Sequence, residues 1–431
     1  MLFYLDITIN AGKILVYSPS YSHSHLISNG RIADTLVNAG HDVVSSRYDE
    51  GLLGGETEMM RQKNLNFASR LAFEHIGYEM CAEYLRYLGI KNLLWISTTP
   101  IMDAVSYDLG EFRCLYLSFE VDIINSMISF SIPAPPSYVP TIEENDNGDV
   151  MTLWQRAYNF YMYIGAIYIH RKGTDMITKI FKKFDPNFPN VREIAANASL
   201  CFVNVDEMFD LPRPIIHKTI YIGGLGIKQP KKLDQKFSNL MEKGRKGVII
   251  VSMGTIAPFH GFTDITKIAF ANVFRSMPDY HFILKIAKDD VTTASFLEDV
   301  PNSDLVEWLP QSDILAHPRL KLFIMHGGIN GVMEAMLRAV PVIVIPIFAD
   351  QFRNGRNVEK RGAGKVILKL DLTEITIRNT IRDVIENESY KANAVRLSKL
   401  MSEKPFTAEE RLVKWTDFAV RHGVLDVLHV Q

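Results

Sequence analysis

The sequence predicts an α/β protein built as two Rossmann-like domains facing a cleft, and three observations carry that expectation. The chain has 431 residues, too many for one ordinary core. Short β-branched runs alternate with helical patterns near the start and again after residue 246. Three segments of small and polar residues fall just after strands of the second alternation, where open parallel sheets hold their ligands.

Taken in order, Lys13 to Ser18 is a β-branched run closed by Pro19, a buried strand. A polar loop with His23 and His25 follows, then a helical pattern through Ile27, Ile32, Leu36 and Val37 that stops at Gly40. His41-Asp42-Val43-Val44 opens the next strand and completes a βαβ unit. Leu93 to Ile96 is a further strand and Pro133 to Pro140 a proline-rich connection. Residues 151–170 carry Trp154, Tyr158, Phe160, Tyr161, Tyr163 and Tyr168 and read as a helix buried on several sides, with membrane-surface contact as the weaker alternative. The pattern breaks at Ile222-Gly223-Gly224-Leu225-Gly226, and Lys231 to Lys246 is charged and linker-like. Val248–Val251, His281–Ile286, Leu320–Met325 and Val340–Ile345 then read as buried parallel strands separated by helices. The domains expected are 1–226 for the acceptor side, a linker at 227–246, and 247–431 with a closing helix.

Composition narrows the function. Apolar residues make up 47% and charged residues 22%, ordinary for large buried sheets, and a net charge of −2 excludes a protein built to coat nucleic acid. Cys81, Cys114 and Cys201 form no CxxC pair and have no histidine cluster, so they read as buried thiols rather than zinc ligands. No run is apolar for long enough to span a bilayer. Met1 to Ala11 is apolar but lacks a basic region and holds Asp6, which reads as a weak or clipped signal peptide. Asn197-Ala198-Ser199 and Asn387-Glu388-Ser389 are glycosylation sequons if the chain is secreted.

The chemistry gathers after the strands of the second half. Ser252-Met253-Gly254-Thr255 follows the first, His326-Gly327-Gly328-Ile329-Asn330 the third, and Phe348-Ala349-Asp350-Gln351 the fourth. His326, Asn330 and Glu334 are four apart and share a helix face. Gly327 and Gly328 admit an anion to free N–H groups at the helix start, which suits a diphosphate with His326 and Asn330 donating to it. Glu334, a turn deeper, suits ribose hydroxyls. Trp308 offers a ring for stacking on a base and Gln311 an amide for the base edge or ribose. Asp350 and Gln351 suit vicinal sugar hydroxyls. Each residue alone has a bland reading: a core tryptophan, a satisfied histidine, or a helix-capping Asn or Asp. All of them along one sheet edge do not.

The stretch from Trp308 to Gln351 (WLPQ…HGGINGVMEA…P…FADQ) resembles the signature of the UDP-glycosyltransferase family, which includes the UDP-glucuronosyltransferases. SPSYSHSH, GHDVV, APPSYVP, FDLPRP…YIGGLGI and VSMGT extend the resemblance over most of the chain, and the match is nearest to invertebrate, nematode-type members. The resemblance implies a GT-B fold, metal-independent inverting transfer without a cofactor, and a UDP-glucuronate or UDP-glucose donor held by the second domain. It implies that Trp308 and Gln311 meet uridine, Glu334 ribose, and Asp350 and Gln351 the sugar, with a small lipophilic acceptor as partner. It also implies a catalytic histidine from the first βα segment, of which His25 fits better than His23, paired with a carboxylate that falls on Glu74. A neutral imidazole suits removal of the acceptor proton. Endoplasmic-reticulum membrane or lumen is the compartment implied, with a C-terminal anchor that relatives carry beyond the equivalent of Gln431.

Against the family pattern, Ser45 to Leu71 is short for the acceptor-facing region, and Glu111 to Ser131 reads as an insertion. Relatives commonly carry glycine before the strand proline, where this chain has Ala339-Val340-Pro341, a change expected to matter little. The competing reading is a non-catalytic UDP-sugar-binding relative with an impaired acceptor domain, since binding needs only the second half. A UDP-sugar epimerase on the same fold is a third.

Overall fold

The computed structural model describes residues 12–19, 23–48, 92–101, 135–142, 145–183, 185–254 and 259–428. Glu74, Thr255, Cys81, Cys114 and the stretch 111–131 lie outside them.

Strand β1 (Lys13–Pro19), helix α1 (His23–Asn38) and strand β2 (Asp42–Tyr48) form the expected unit, with the strands parallel and Lys13 opposite Asp42. The helix starts at His23 rather than after the histidines, because neither proline nor glycine stands between His23 and Asn29. Both histidines therefore belong to its first turn. Gly40, at φ +92°, ends it, with the Gly40 amide on the Val37 carbonyl and the His41 amide on that of Leu36.

A second parallel sheet runs β3 (Leu94–Ser97), β4 (Leu200–Val203), β5 (Thr219–Tyr221). The last two escape the sequence because runs of three and four residues carry no period. Between β3 and β4 lie α2 (Leu153–Phe181) and α3 (Val191–Ala196). The aromatic segment is helical, but it is not buried on several sides. Trp154 is 82% and Tyr161 71% exposed, while the stripe Asn159, His170, Thr174 and Thr178 is buried. The helix docks through hydrogen bonds: Asn159 donates to the carbonyls of Pro136 and Val139 and accepts from the Thr141 amide and Asn145. Aromatic content gave the wrong face because the packing stripe is polar.

The charged linker contains α4 (Gln235–Glu242), whose Phe237, Leu240 and Met241 are buried at helical spacing. Gly223 is required before it, since a Cβ there would lie 2.2 Å from the Asp206 nitrogen.

Next comes a six-stranded parallel sheet: β6 (Gly247–Ser252), β7 (Tyr280–Lys285), β8 (Ser303–Val306), β9 (Leu320–Met325), β10 (Val342–Val344) and β11 (Gly364–Val366). Crossovers include α5 (Asp264–Arg275), α6 (Val291–Leu297), the short α7 (Gln311–Ile314), α8 (Ile329–Leu337) and α9 (Gln351–Lys360). The spatial order is β8-β7-β6-β9-β10-β11, so the strand order reverses between β6 and β9. Ligand crevices of doubly wound sheets open at that reversal. The strands bury residues such as Val248, Ile250, Phe323 and Ile343 completely.

The chain ends with α10 (Glu374–Glu386), α11 (Glu388–Ser402) and α12 (Ala408–His422). The last of these leaves the six-stranded sheet. Leu412 and Ala419 share a core with Ile32, Leu36, Ile220 and Ile222 of the first half, and Asp417 lies 3.0 Å from His41. Among the described residues no helix is long and apolar enough to cross a membrane.

Ala339 matters more than its sequence suggests. It follows α8 at φ +55°, its amide on the Met336 carbonyl and the Val340 amide on that of Ala335, the left-handed position where helices favour glycine. An L-residue there costs roughly 1–2 kcal/mol. Glycine also loses more freedom on folding, so Ala339→Gly is expected to stabilise the protein by about 0.5–1 kcal/mol. A urea midpoint that stays put or falls would refute this account of the turn.

Candidate functional site

The site forms where β6 and β9 lie side by side at the strand reversal, with Ser252 opposite Met325 at their carboxyl ends. From β6 the chain turns through Gly254 at φ +82°, and from β9 through His326 and Gly327 at φ +93° into α8. The turns touch. A Cβ on Gly254 would lie 2.7 Å from His326 Cε1, and one on Gly328 would lie 2.5 Å from His326 Nε2. The imidazole thus fills a slot between two glycine backbones, and burial pushes its pKa down to about 4 despite a hydrogen bond with the Ser252 backbone. It is neutral at physiological pH, a donor and acceptor rather than a cation. Gly328 stands at the N-cap of α8, where glycine offers no side-chain cap.

Along α8, Asn330 and Glu334 share a face as their spacing predicts, and both meet the first half of the chain. Asn330 bonds Ser28 at 3.0 Å and accepts from Asn204 at 2.9 Å. Glu334 accepts from Arg31 at 3.0 Å through one oxygen and from Gln311 at 2.8 Å through the other. The structure therefore brings Gln311 and Glu334 together. Trp308 stands apart, 62% exposed, with Lys285 Nζ 5.2 Å above its ring centroid. The ammonium covers one face of the ring in a cation–π contact, and a stacking base would take the other face or displace it.

Asp350 stands at the N-cap position of α9 with no side-chain capping hydrogen bond, and it is buried. It accepts at 2.7 Å from Asn354, which also donates to the Gly327 carbonyl and ties this loop to the histidine loop. Gln351 is 3% exposed, and its side-chain oxygen accepts from the amides of Ile347 and Phe348. Its carbonyl is committed to the loop, so its NH₂ is the part left to donate. Between these residues and the strand, Ala349 holds φ +54°, a strained conformation of the kind found where loops are fixed for a ligand. His25 is placed by backbone alone, in the first turn of α1.

Burial raises Asp350 to about 6, opposed by the hydrogen bond from Asn354. With its folded pKa above the unfolded value, its stabilising contribution is present at low pH and is lost as pH rises through about 6. Asp350→Asn should therefore be more stable than wild type at pH 8, by up to about 3 kcal/mol, and melt higher, with the gap closing below pH 4. Thermal melts at both pH values check this, and a variant less stable than wild type at pH 8 would contradict it. His326 works in the opposite sense, losing stability as pH falls from 6.5 towards 4.

Ser28, Arg31, Asn204, Lys285 and Asn354 were not singled out by the sequence. The first three are legible only once α1 and α8 are known to face each other, at separations of 126 to 303 residues.

Comparison with known proteins agrees with this geometry. The family described as UDP-glucoronosyl and UDP-glucosyl transferase matches residues 95–428. The Caenorhabditis elegans protein ugt-50, named provisionally as a UDP-glucuronosyltransferase, is 36% identical over 96% of this chain and 87% of its own. UDP-glucuronosyltransferase 3A1 of Bos taurus is 33% identical over 96% of this chain and 85% of its own. Among solved structures, the glycotransferase of kitacinnamycin superposes with TM-score 0.60 over 95% of this chain and 98% of its own, at 17% identity. Os79 of O. sativa, solved with UDP, gives 0.58 over 95% and 100%, at 16% identity. These structures speak for the GT-B fold, and the sequence matches for the activity: the chain belongs to the UDP-glycosyltransferase family, enzymes that transfer a glycosyl group from a UDP-sugar.

Proposed function

We propose that this enzyme transfers glucuronate or glucose from its UDP donor, with inversion, onto a hydroxyl of a small lipophilic acceptor. The observation that supports it most is the neutral His326 held between Gly254 and Gly328, beside the N-terminus of α8 at the strand reversal. That geometry suits a diphosphate. In this reading Trp308 and Gln311 meet uridine, Glu334 the ribose, and His326, Asn330 and the amides near Gly328, Gly254 and Thr255 the phosphates. Asp350 and Gln351 meet the sugar. His25 takes the acceptor proton while Glu74 orients its ring, and the acceptor lies in residues 1–226. As the acceptor oxygen forms its bond to the anomeric carbon, the bond to UDP breaks and UDP leaves.

The likeness to UDP-glucuronosyltransferases also supports the endoplasmic reticulum as the compartment, and both sequon asparagines, Asn197 and Asn387, are exposed. UDP at a hundredfold excess over its Kd should stabilise the fold by about 2.7 kcal/mol, seen as a raised melting temperature. No shift at saturating UDP would sink the donor site.

A further inference from the structure

The groups assigned to the donor bring no positive charge of their own. Trp308, Gln311, Asn330 and Gln351 are uncharged, burial keeps His326 neutral, and Glu334 and Asp350 are acids. Arg31, at the cleft, is paired with Glu334. A diphosphate is a polyanion, and holding it beside two carboxyl groups without a cation is electrostatically unfavourable.

Lys285 brings the missing charge to this edge. It ends β7 opposite Val306 of β8, and Leu284 before it lies opposite Val251 of β6. Ser252 follows Val251 and faces Met325 of β9. Val306, Lys285, Ser252 and Met325 therefore run across the carboxyl edge of the sheet, on strands about 4.8 Å apart. Trp308 follows Val306 by two residues, and His326 follows Met325 by one. Side chains two apart on a strand share a face, and Ile283 packs in one core with Ile314 of α7 and Ile329 and Val332 of α8. Lys285 thus emerges on the face that carries α7 and α8, between the tryptophan and the histidine turn. Its ammonium lies 5.2 Å from the Trp308 ring centroid. Its charge also reaches His326, where it adds to burial in holding the imidazole neutral.

The side chain is half-buried, and burial holds its pKa below the ordinary lysine value. Among the described residues no carboxylate pairs with it. A partly desolvated cation without a counter-ion destabilises the free protein, and an anion arriving at the same edge relieves that cost. We propose that Lys285 is a donor-binding residue whose ammonium is the counter-charge for the diphosphate of UDP. This rests on the reading of the turns at Gly254, His326 and Gly328 as the phosphate site. The flexible lysine stem lets the ammonium serve the phosphates whichever face of Trp308 the base takes. The residue then favours the nucleotide over the nucleoside.

The test is calorimetric titration of UDP and of uridine into the full chain, as wild type, Lys285→Met and Lys285→Arg. Methionine keeps an unbranched apolar stem without the charge. UDP should bind Lys285→Met about ten- to a hundredfold more weakly, the loss of one charge-assisted hydrogen bond. Uridine, which lacks the phosphates, should bind that variant as it binds wild type. Lys285→Arg keeps the charge and should hold UDP near wild-type affinity. Without ligand, the urea midpoint of Lys285→Met should equal or exceed that of wild type, because an unpaired half-buried charge is gone. If UDP and uridine weaken together, Lys285 acts only by holding the Trp308 ring and the proposal is overturned. It is overturned equally if neither weakens, and the phosphate-site reading then stands without Lys285. A wild type that binds UDP no more tightly than uridine removes that reading, and the proposal with it.

Discussion

His25→Ala is expected to lower acceptor-dependent UDP release by about 10²- to 10⁴-fold, the usual contribution of a positioned general base. UDP affinity should stay near the wild-type value, because the groups assigned to UDP lie after β6, β8 and β9 and on α7 and α8, while His25 stands in the first turn of α1. His23→Ala, two residues earlier in the same turn, is the control and should retain turnover. Steady-state release of UDP with and without acceptor, beside a direct measurement of UDP binding, separates the two effects. Turnover that survives in His25→Ala would remove it as the base. A wild type that binds UDP but releases none from donor and acceptor together would favour the non-catalytic binder instead.

The largest effect on stability is expected at Asp210. Its carboxylate lies 3.1 Å from Arg353 of α9, both side chains at most 2% exposed, and it also accepts from Asn357. Arg361 grips the backbone beside it through the carbonyls of Phe209 and Asp210. This cluster joins the segment after β4 to the helix that follows the sugar-side loop. Asp210→Ala removes the buried carboxylate paired with the Arg353 guanidinium and should cost about 3–5 kcal/mol. The double replacement Asp210→Leu with Arg353→Met removes both charges and should recover most of that loss. Urea unfolding of the two single variants and the double variant gives the coupling. A single variant that costs less than the double would show that the pair does not act as a unit.

Much of the second half was legible. Val248–Val251 is buried on both faces and Leu320–Met325 is buried apart from Lys321, so their strands read as largely apolar runs and fall within a residue of their observed ends. β8 and β11 were not legible, because Ser303–Val306 and Gly364–Val366 are short and half-exposed. The α4 helix was hidden by lysines, although Phe237, Leu240 and Met241 already showed its period. The donor-side motif was plain because backbone geometry demands its glycines. Its partners across the cleft were not, since nothing local in Ser28 or Arg31 announces a contact with Asn330 or Glu334. Ala339 shows the same limit: a left-handed backbone is a property of the turn, and its residue did not declare it.

Because α12 packs into the core of the first half, the backbone among the described residues passes between the two halves twice, once after Gly226 and once before Ala408. The passages run side by side, with the Gly226 amide on Glu409 and Lys404 on Asp206 and Glu207. A single tether would leave the halves free to swivel about any axis. Two adjacent tethers act like the leaves of a door hinge, permitting rotation about the line that joins them and resisting twist. Any opening that admits a nucleotide is therefore a swing about one axis, and the edge that moves farthest is the one most distant from Gly226.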